Sequence, residues 1–150
     1  MRNNYYTLTI MKTVLITGGT RGIGLSTAIK FLQKDWKVYI TSRKQENLDL
    51  VLTDHPGLKG FVARADDLAA ASETCIKIKD ETGSLDVLIN NAGTNPSGGS
   101  LMDVELSAVQ KTWDVNLMGP LMWTREAVKA GLSESVLNVC SVGGIRPSQY

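Results

Sequence analysis

Apolar residues in this chain follow two alternating rhythms. Short unbroken runs, such as Val14-Leu15-Ile16 and Val38-Tyr39-Ile40, have the length and β-branched character of strands buried on both faces. Between them, apolar positions return every three or four residues, as at Ile23, Ala28, Ile29 and Leu32, which is the spacing of one helix face. The pattern predicts strands at about 12–17, around 38–40, at 58–63, 85–89 and 136–140. It predicts helices at about 22–34, 44–53, 68–82 and 103–130. Asp54-His55-Pro56-Gly57 stops the second helix and Gly83 the third. Asn116, Gly119 and Pro120 disturb the last, where a bend is expected. Strand–helix alternation with short connections implies parallel strands and right-handed crossovers. The fold class is therefore α/β, a doubly wound parallel sheet of order 3-2-1-4-5 with its ligand at the carboxyl edge.

Composition narrows the function without naming it. The 150 residues carry 43% apolar and 21% charged residues, a balance that suits one soluble domain. A net charge of +1 gives no reason to expect nucleic acid or a membrane surface as partner. No run approaches the roughly 20 apolar residues of a spanning helix. Cys75 and Cys140 read as buried thiols, on a helix and a strand, in a reducing, cytoplasmic setting. His55 is the only histidine and sits in a turn, which excludes a His-based triad or a His-rich metal site; no metal is expected. Residues 1–10 precede a second methionine, Met11, and read as a loosely ordered leader to a domain over 11–150.

The most informative stretch is Thr17-Gly18-Gly19-Thr20-Arg21-Gly22-Ile23-Gly24, which joins the first strand to the first helix. Gly18 and Gly22 suit backbone geometry or close approach that a Cβ would block, and Gly24 suits close helix–sheet packing. A helix N-terminus behind such a turn offers unpaired N–H groups and a positive dipole to a pyrophosphate. The second strand runs into Thr41-Ser42-Arg43-Lys44. It lacks the carboxylate that binds a ribose 2′-hydroxyl in NAD sites. Arg43 can instead pair with a 2′-phosphate, which favours NADP(H).

Four segments together resemble the classical short-chain dehydrogenases/reductases. The glycine turn matches that family's Thr-Gly-x-x-x-Gly-Ile-Gly form, and Asn90-Asn91-Ala92-Gly93 its Asn-Asn-Ala-Gly motif. Trp113-Asp114-Val115-Asn116-Leu117-Met118-Gly119 looks like its central helix with the active-site asparagine, and Asn138-Val139-Cys140-Ser141-Val142-Gly143-Gly144 like the segment bearing the active-site serine. The resemblance implies a Rossmann domain that transfers hydride between a nicotinamide and a small carbonyl or alcohol. In this reading Thr17, Gly18, Thr20, Arg21, Gly22, Ile23 and Gly24 hold the dinucleotide with Ser42 and Arg43. Arg21 is a second cation that NADP-preferring relatives carry. Asp67-Leu68 resembles the pair whose aspartate takes the adenine amino group, with Asp66 as the competing register and helix capping as the plain alternative. Asn91, Ala92 and Gly93 would border the adenosine ribose, while Asn90 and Asn91 equally suit a tie between strands. Ser141 would bond the substrate oxygen, and Asn116 would hold a water in a proton relay.

The family also carries Tyr-x-x-x-Lys beyond the serine, and the sequence reaches Tyr150 without it. Tyr150 reads as loop ahead of that motif, or as the family tyrosine at shortened spacing. The chain therefore reads as incomplete at its carboxyl end, truncated before the last strands and impaired in turnover. The other reading is a non-catalytic nucleotide-binding or interaction module. Apolar surface at Leu117, Met118, Leu121, Met122 and Trp123 is expected to be exposed and to make a homo-oligomer possible.

Overall fold

The computed structural model describes residues 11–96 and 100–144; residues 1–10 and Tyr150 lie outside them. Five strands, β1 (Thr13–Ile16), β2 (Lys37–Ser42), β3 (Leu58–Val62), β4 (Val87–Asn90) and β5 (Ser135–Asn138), form one sheet of order β3-β2-β1-β4-β5. All four pairings are parallel, with Leu15 opposite Tyr39 and Leu88, and Ile89 opposite Leu137. This is the expected topology. It follows from buried strand runs that can pair only through helical crossovers.

Alternate strand residues face opposite layers. Val14, Ile16, Val38, Ile40 and Ile89 pack with Ala28 of α1 (Gly22–Leu32) and with Leu48 and Val51 of α2 (Gln45–Asp54). Leu15, Tyr39 and Leu88 pack with Cys75 and Ile78 of α3 (Leu68–Thr82), and with Trp123 and Ala127 of α5 (Gly119–Lys129). Each fully buried side chain of this size contributes about 1.5–3 kcal/mol, so the two layers hold the sheet rigid beneath its carboxyl edge.

Several local expectations change. The long final helix is three pieces: α4 (Leu106–Trp113), a π-helical turn at Asp114–Met118, and α5. Gly119 is the reason for the tight seat there, since a Cβ on it would lie 2.8 Å from the Ala65 carbonyl oxygen. Trp123 is buried, not exposed. It shares a face with Ala127 and Ala130 at helical spacing and turns under the sheet. β4 starts at Val87, and just before it the Asp86 carboxylate takes the Thr13 N–H and the Ser84 and Ser133 hydroxyls at the amino edge, beside backbone bonds to Thr13 and Ser135. β5 stops at Asn138, so Cys140 lies beyond the strand and is exposed, whereas Cys75 is buried and its thiol pushed up to about 12 by desolvation. Gly83 ends α3 at φ +82°, the left-handed cap that glycine allows.

Candidate functional site

The turn after β1 is built around two residues that hold the frame rather than face the ligand space. The Thr17 hydroxyl accepts the N–H groups of Asn91 and Ala92 at 3.0 and 3.1 Å. The Asn91 amide donates back to the Thr17 and Gly18 carbonyls, both at 3.0 Å. Gly18, at φ +66°, brings its backbone so near the β4 loop that a Cβ would stand 3.0 Å from the Ala92 Cα. Gly24 is tighter still, with a Cβ there 2.4 Å from the Asn91 Nδ2 and 2.6 Å from the Gly18 oxygen. Thr17 and Gly24 thus lock two loops together, and neither lines the cavity described next.

That cavity, of about 640 Å³, opens at the carboxyl edge between β1, β2 and β4. Gly18, Thr20, Arg21, Gly22 and Ile23 line one side, Ser42 and Arg43 the second, and Asn91, Ala92 and Gly93 the third. Helix α1 points its N-terminus here with no side-chain cap and no acidic residue in its first turn. Its leading N–H groups are therefore available to an anion. Among the described ion pairs, neither Arg21 nor Arg43 has a carboxylate partner. The Ser42 hydroxyl also accepts the Lys44 N–H at 3.3 Å, shaping the turn into α2.

The structure places the neighbouring carboxylates Asp66 and Asp67 differently. Asp67 is the N-cap of α3, its carboxylate accepting the Ala70 N–H at 3.0 Å, and neither it nor the exposed Leu68 lines the cavity. Because α3 starts at Leu68, Asp67 falls where its oxygen satisfies an orphan helix donor. Asp66 lines the cavity instead. The Arg64 guanidinium, 3.2 and 3.0 Å from its two oxygens, holds its carboxyl down at about 2, with help from Lys111 and against partial burial.

Sequence reasoning missed other walls. Lys44 and Asn47 line the cavity from the start of α2, and Ala65 and Val115 from its far side. Lys44 directly follows Arg43 and could have been found from that adjacency; Val115 could not, because only the π turn delivers it. Asn116 sits in that same turn. Its amide accepts the Thr94 N–H and donates to the Thr94 carbonyl, both at 2.8 Å, clamping the loop after β4. Asn116 reaches the cavity through Thr94, which lines it. A π turn inside an α-helix is commonly tied to function. Ser141 lies past β5 on the same edge, exposed, with its hydroxyl accepting the Gly143 N–H at 3.1 Å. Neither Asn116 nor Ser141 lines the cavity itself.

Asn90 is buried, and its amide donates to the Asn138 side chain, the Thr124 hydroxyl and the Pro120 carbonyl, joining β4, β5 and α5. Asn90 and Asn91 therefore tie elements together. Among the described residues no group of three or more His, Cys, Asp or Glu could hold a metal ion, and no helix is long and apolar enough to cross a membrane.

With this geometry in view, comparisons with known proteins are specific. A family model described as short chain dehydrogenase matches residues 12–150. The human "Dehydrogenase/reductase SDR family member 4" is 34% identical over 149 residues, covering 91% of this chain and 52% of the relative. The "Uncharacterized oxidoreductase YvrD" of Bacillus subtilis is 32% identical over 141 residues, covering 91% and 53%. Among solved structures, "ElxO with NADP Bound" superposes with a TM-score of 0.85 at 30% identity, covering 93% of this chain and 59% of that one. An actinorhodin polyketide ketoreductase with NADPH gives 0.87 at 25%, covering 93% and 56%. The chain spans about half the length of the curated relatives it matches.

Proposed function

The chain belongs to the short-chain dehydrogenase family, and on that premise we propose that it binds NADP(H) as part of an oxidoreductase acting on a small carbonyl or alcohol. One observation carries the reading. The uncapped N-terminus of α1 opens into a cavity of about 640 Å³ rimmed by two guanidinium groups that have no carboxylate partner among the described ion pairs. The glycine turn suits a diphosphate, since Gly22 lines the cavity with open space where a Cβ would stand, beside the free N–H groups of α1. A 2′-phosphate suits Arg43 and Arg21 through charge-assisted hydrogen bonds, and the solved relative titled with NADP bound is consistent with that choice. Asp66, on the cavity wall, suits the role of adenine acceptor better than Asp67, which caps α3 and does not line the cavity.

When bound, the nicotinamide supplies or receives a hydride at the substrate carbon. The protein's own part is orientation and charge stabilisation. Asn91, Ala92 and Gly93 border the ribose, and Asn116 holds the Thr94 loop and orders a relay water. The Ser141 hydroxyl donates to the substrate oxygen, leaving the Gly143 N–H on its acceptor side. No Tyr-x-x-x-Lys follows Ser141 in these 150 residues, and lack of a general acid costs on the order of 10²–10⁴-fold in rate.

The 150-residue polypeptide is thus expected to bind NADPH, seen as a change in its fluorescence on titration, without sustained oxidation of it by carbonyl substrates. Absence of binding at about millimolar cofactor, an affinity weaker than ~4 kcal/mol, overturns the reading. Leu106, Trp113, Leu117, Leu121 and Val128 form an exposed apolar stripe along α4, the π turn and α5, which favours self-association. Light scattering is expected to report a mass above 16.3 kDa; a clean monomer at high concentration removes this part.

A further inference from the structure

The wall that faces the adenine base in this reading hangs from a helical run distant in sequence. Ala65 and Asp66 lie in the connection from β3 to α3 and line the cavity. The Ala65 carbonyl accepts the Trp123 indole N–H at 3.1 Å, and Gly119 packs close beneath it. The Asp66 carboxylate, only 14% exposed, receives the Lys111 ammonium from α4. Arg64 also pairs with Asp66, but it belongs to the same connection and moves with it. Lys111 is the charged group that ties this wall to another element, and it does not line the cavity. The same run carries Asn116, which clamps Thr94 on the opposite wall. One helical run therefore sets the spacing between the two walls.

We propose that Lys111 is a positioning residue for the adenine base: it holds the Asp66 carboxylate at the cavity wall with one acceptor site turned to the exocyclic amino group. Among the described hydrogen bonds, Asp66 Oδ1 accepts only from the Arg64 Nε, and each carboxylate oxygen can accept two. The inference rests on the dinucleotide reading above and adds a residue that touches no cofactor. Losing Lys111 leaves the carboxylate tied only to its own loop, so the base loses a fixed partner while phosphate contacts are untouched.

The test measures affinity of the 150-residue protein for adenosine 2′,5′-bisphosphate and for the inosine analogue, whose exocyclic carbonyl oxygen at C6 replaces the amino group and repels a carboxylate. The native protein is expected to prefer adenosine. Lys111→Met is expected to weaken adenosine 2′,5′-bisphosphate binding about tenfold, leave the inosine analogue nearly unchanged and bring the ratio near one. Lys111→Arg is expected to restore most of the preference. Lys111→Gln, which keeps helix propensity, gives the same readout if the Met variant melts early. A preference unchanged in Lys111→Met or Lys111→Gln overturns the role of Lys111 alone. A native protein that binds neither bisphosphate overturns the dinucleotide reading, and this inference with it.

Discussion

Replacing Arg21 and Arg43 together by alanine is expected to cut NADPH affinity by about two orders of magnitude, with NADH binding within about threefold of the native protein. Each charge-assisted contact to a phosphate contributes about 1.5 kcal/mol at the lower end of its range, the end that applies to solvent-facing groups, so two contacts amount to about 3 kcal/mol. Both guanidinium groups line the cavity, and no described carboxylate competes for them. In the proposed reading the loss concerns only the 2′-phosphate, since the diphosphate would meet backbone N–H groups at the start of α1. Because these cations are exposed, the gap between the native and variant proteins should narrow as salt rises. Parallel fluorescence titrations with NADPH and NADH at two salt concentrations measure it. Equal losses for the two cofactors would refute selection by these arginines.

A single substitution at Gly24 is expected to be at least as damaging, for a steric reason. Its Cβ would stand 2.4 Å from the Asn91 Nδ2 and 2.6 Å from the Gly18 carbonyl oxygen. The first atom is the tie between the β4 loop and the glycine turn; the second is backbone and cannot swing aside. Gly24→Val should therefore destabilise the fold by about 2–3 kcal/mol, as overpacking does, and abolish measurable NADPH binding by spreading the two loops. Gly22, which lines the cavity, is the comparison for stability alone. A Cβ there meets nothing within 4 Å but must adopt φ +54°. Gly22→Ala should lose only about 1–2 kcal/mol of left-handed strain. Denaturant midpoints at constant slope separate the two, and an NADPH titration of Gly24→Val reads the loss of binding. A native midpoint and affinity in Gly24→Val would show that the cradle is not closed by these contacts.

Several functional features were legible because they are local. The strand run before Thr17, the helical spacing after Gly22 and the αL cap at Gly83 are settled by neighbours a few residues apart. The absence of an acidic residue at the end of β2, and the presence of Arg43 there, are equally plain in the chain. Asp66 against Asp67 was not legible. Adjacent carboxylates are told apart only by where α3 begins, and a shift of one residue turns a cavity wall into a helix cap. Cys140 reads as buried from its apolar run, yet β5 ends two residues earlier and leaves it exposed.

By itself, the amino-acid order determined a parallel α/β sheet in the order 3-2-1-4-5 and a glycine turn between its first strand and first helix. Apolar period and glycine placement act through the backbone of their own segment. Tertiary structure alone decided that Trp123 turns inward to hold Ala65, that Lys111 reaches Asp66, and that the π turn lets Asn116 grip Thr94. Those contacts join residues 22 to 58 positions apart. No local spacing encodes such pairs, because they exist only once two layers have packed on one sheet.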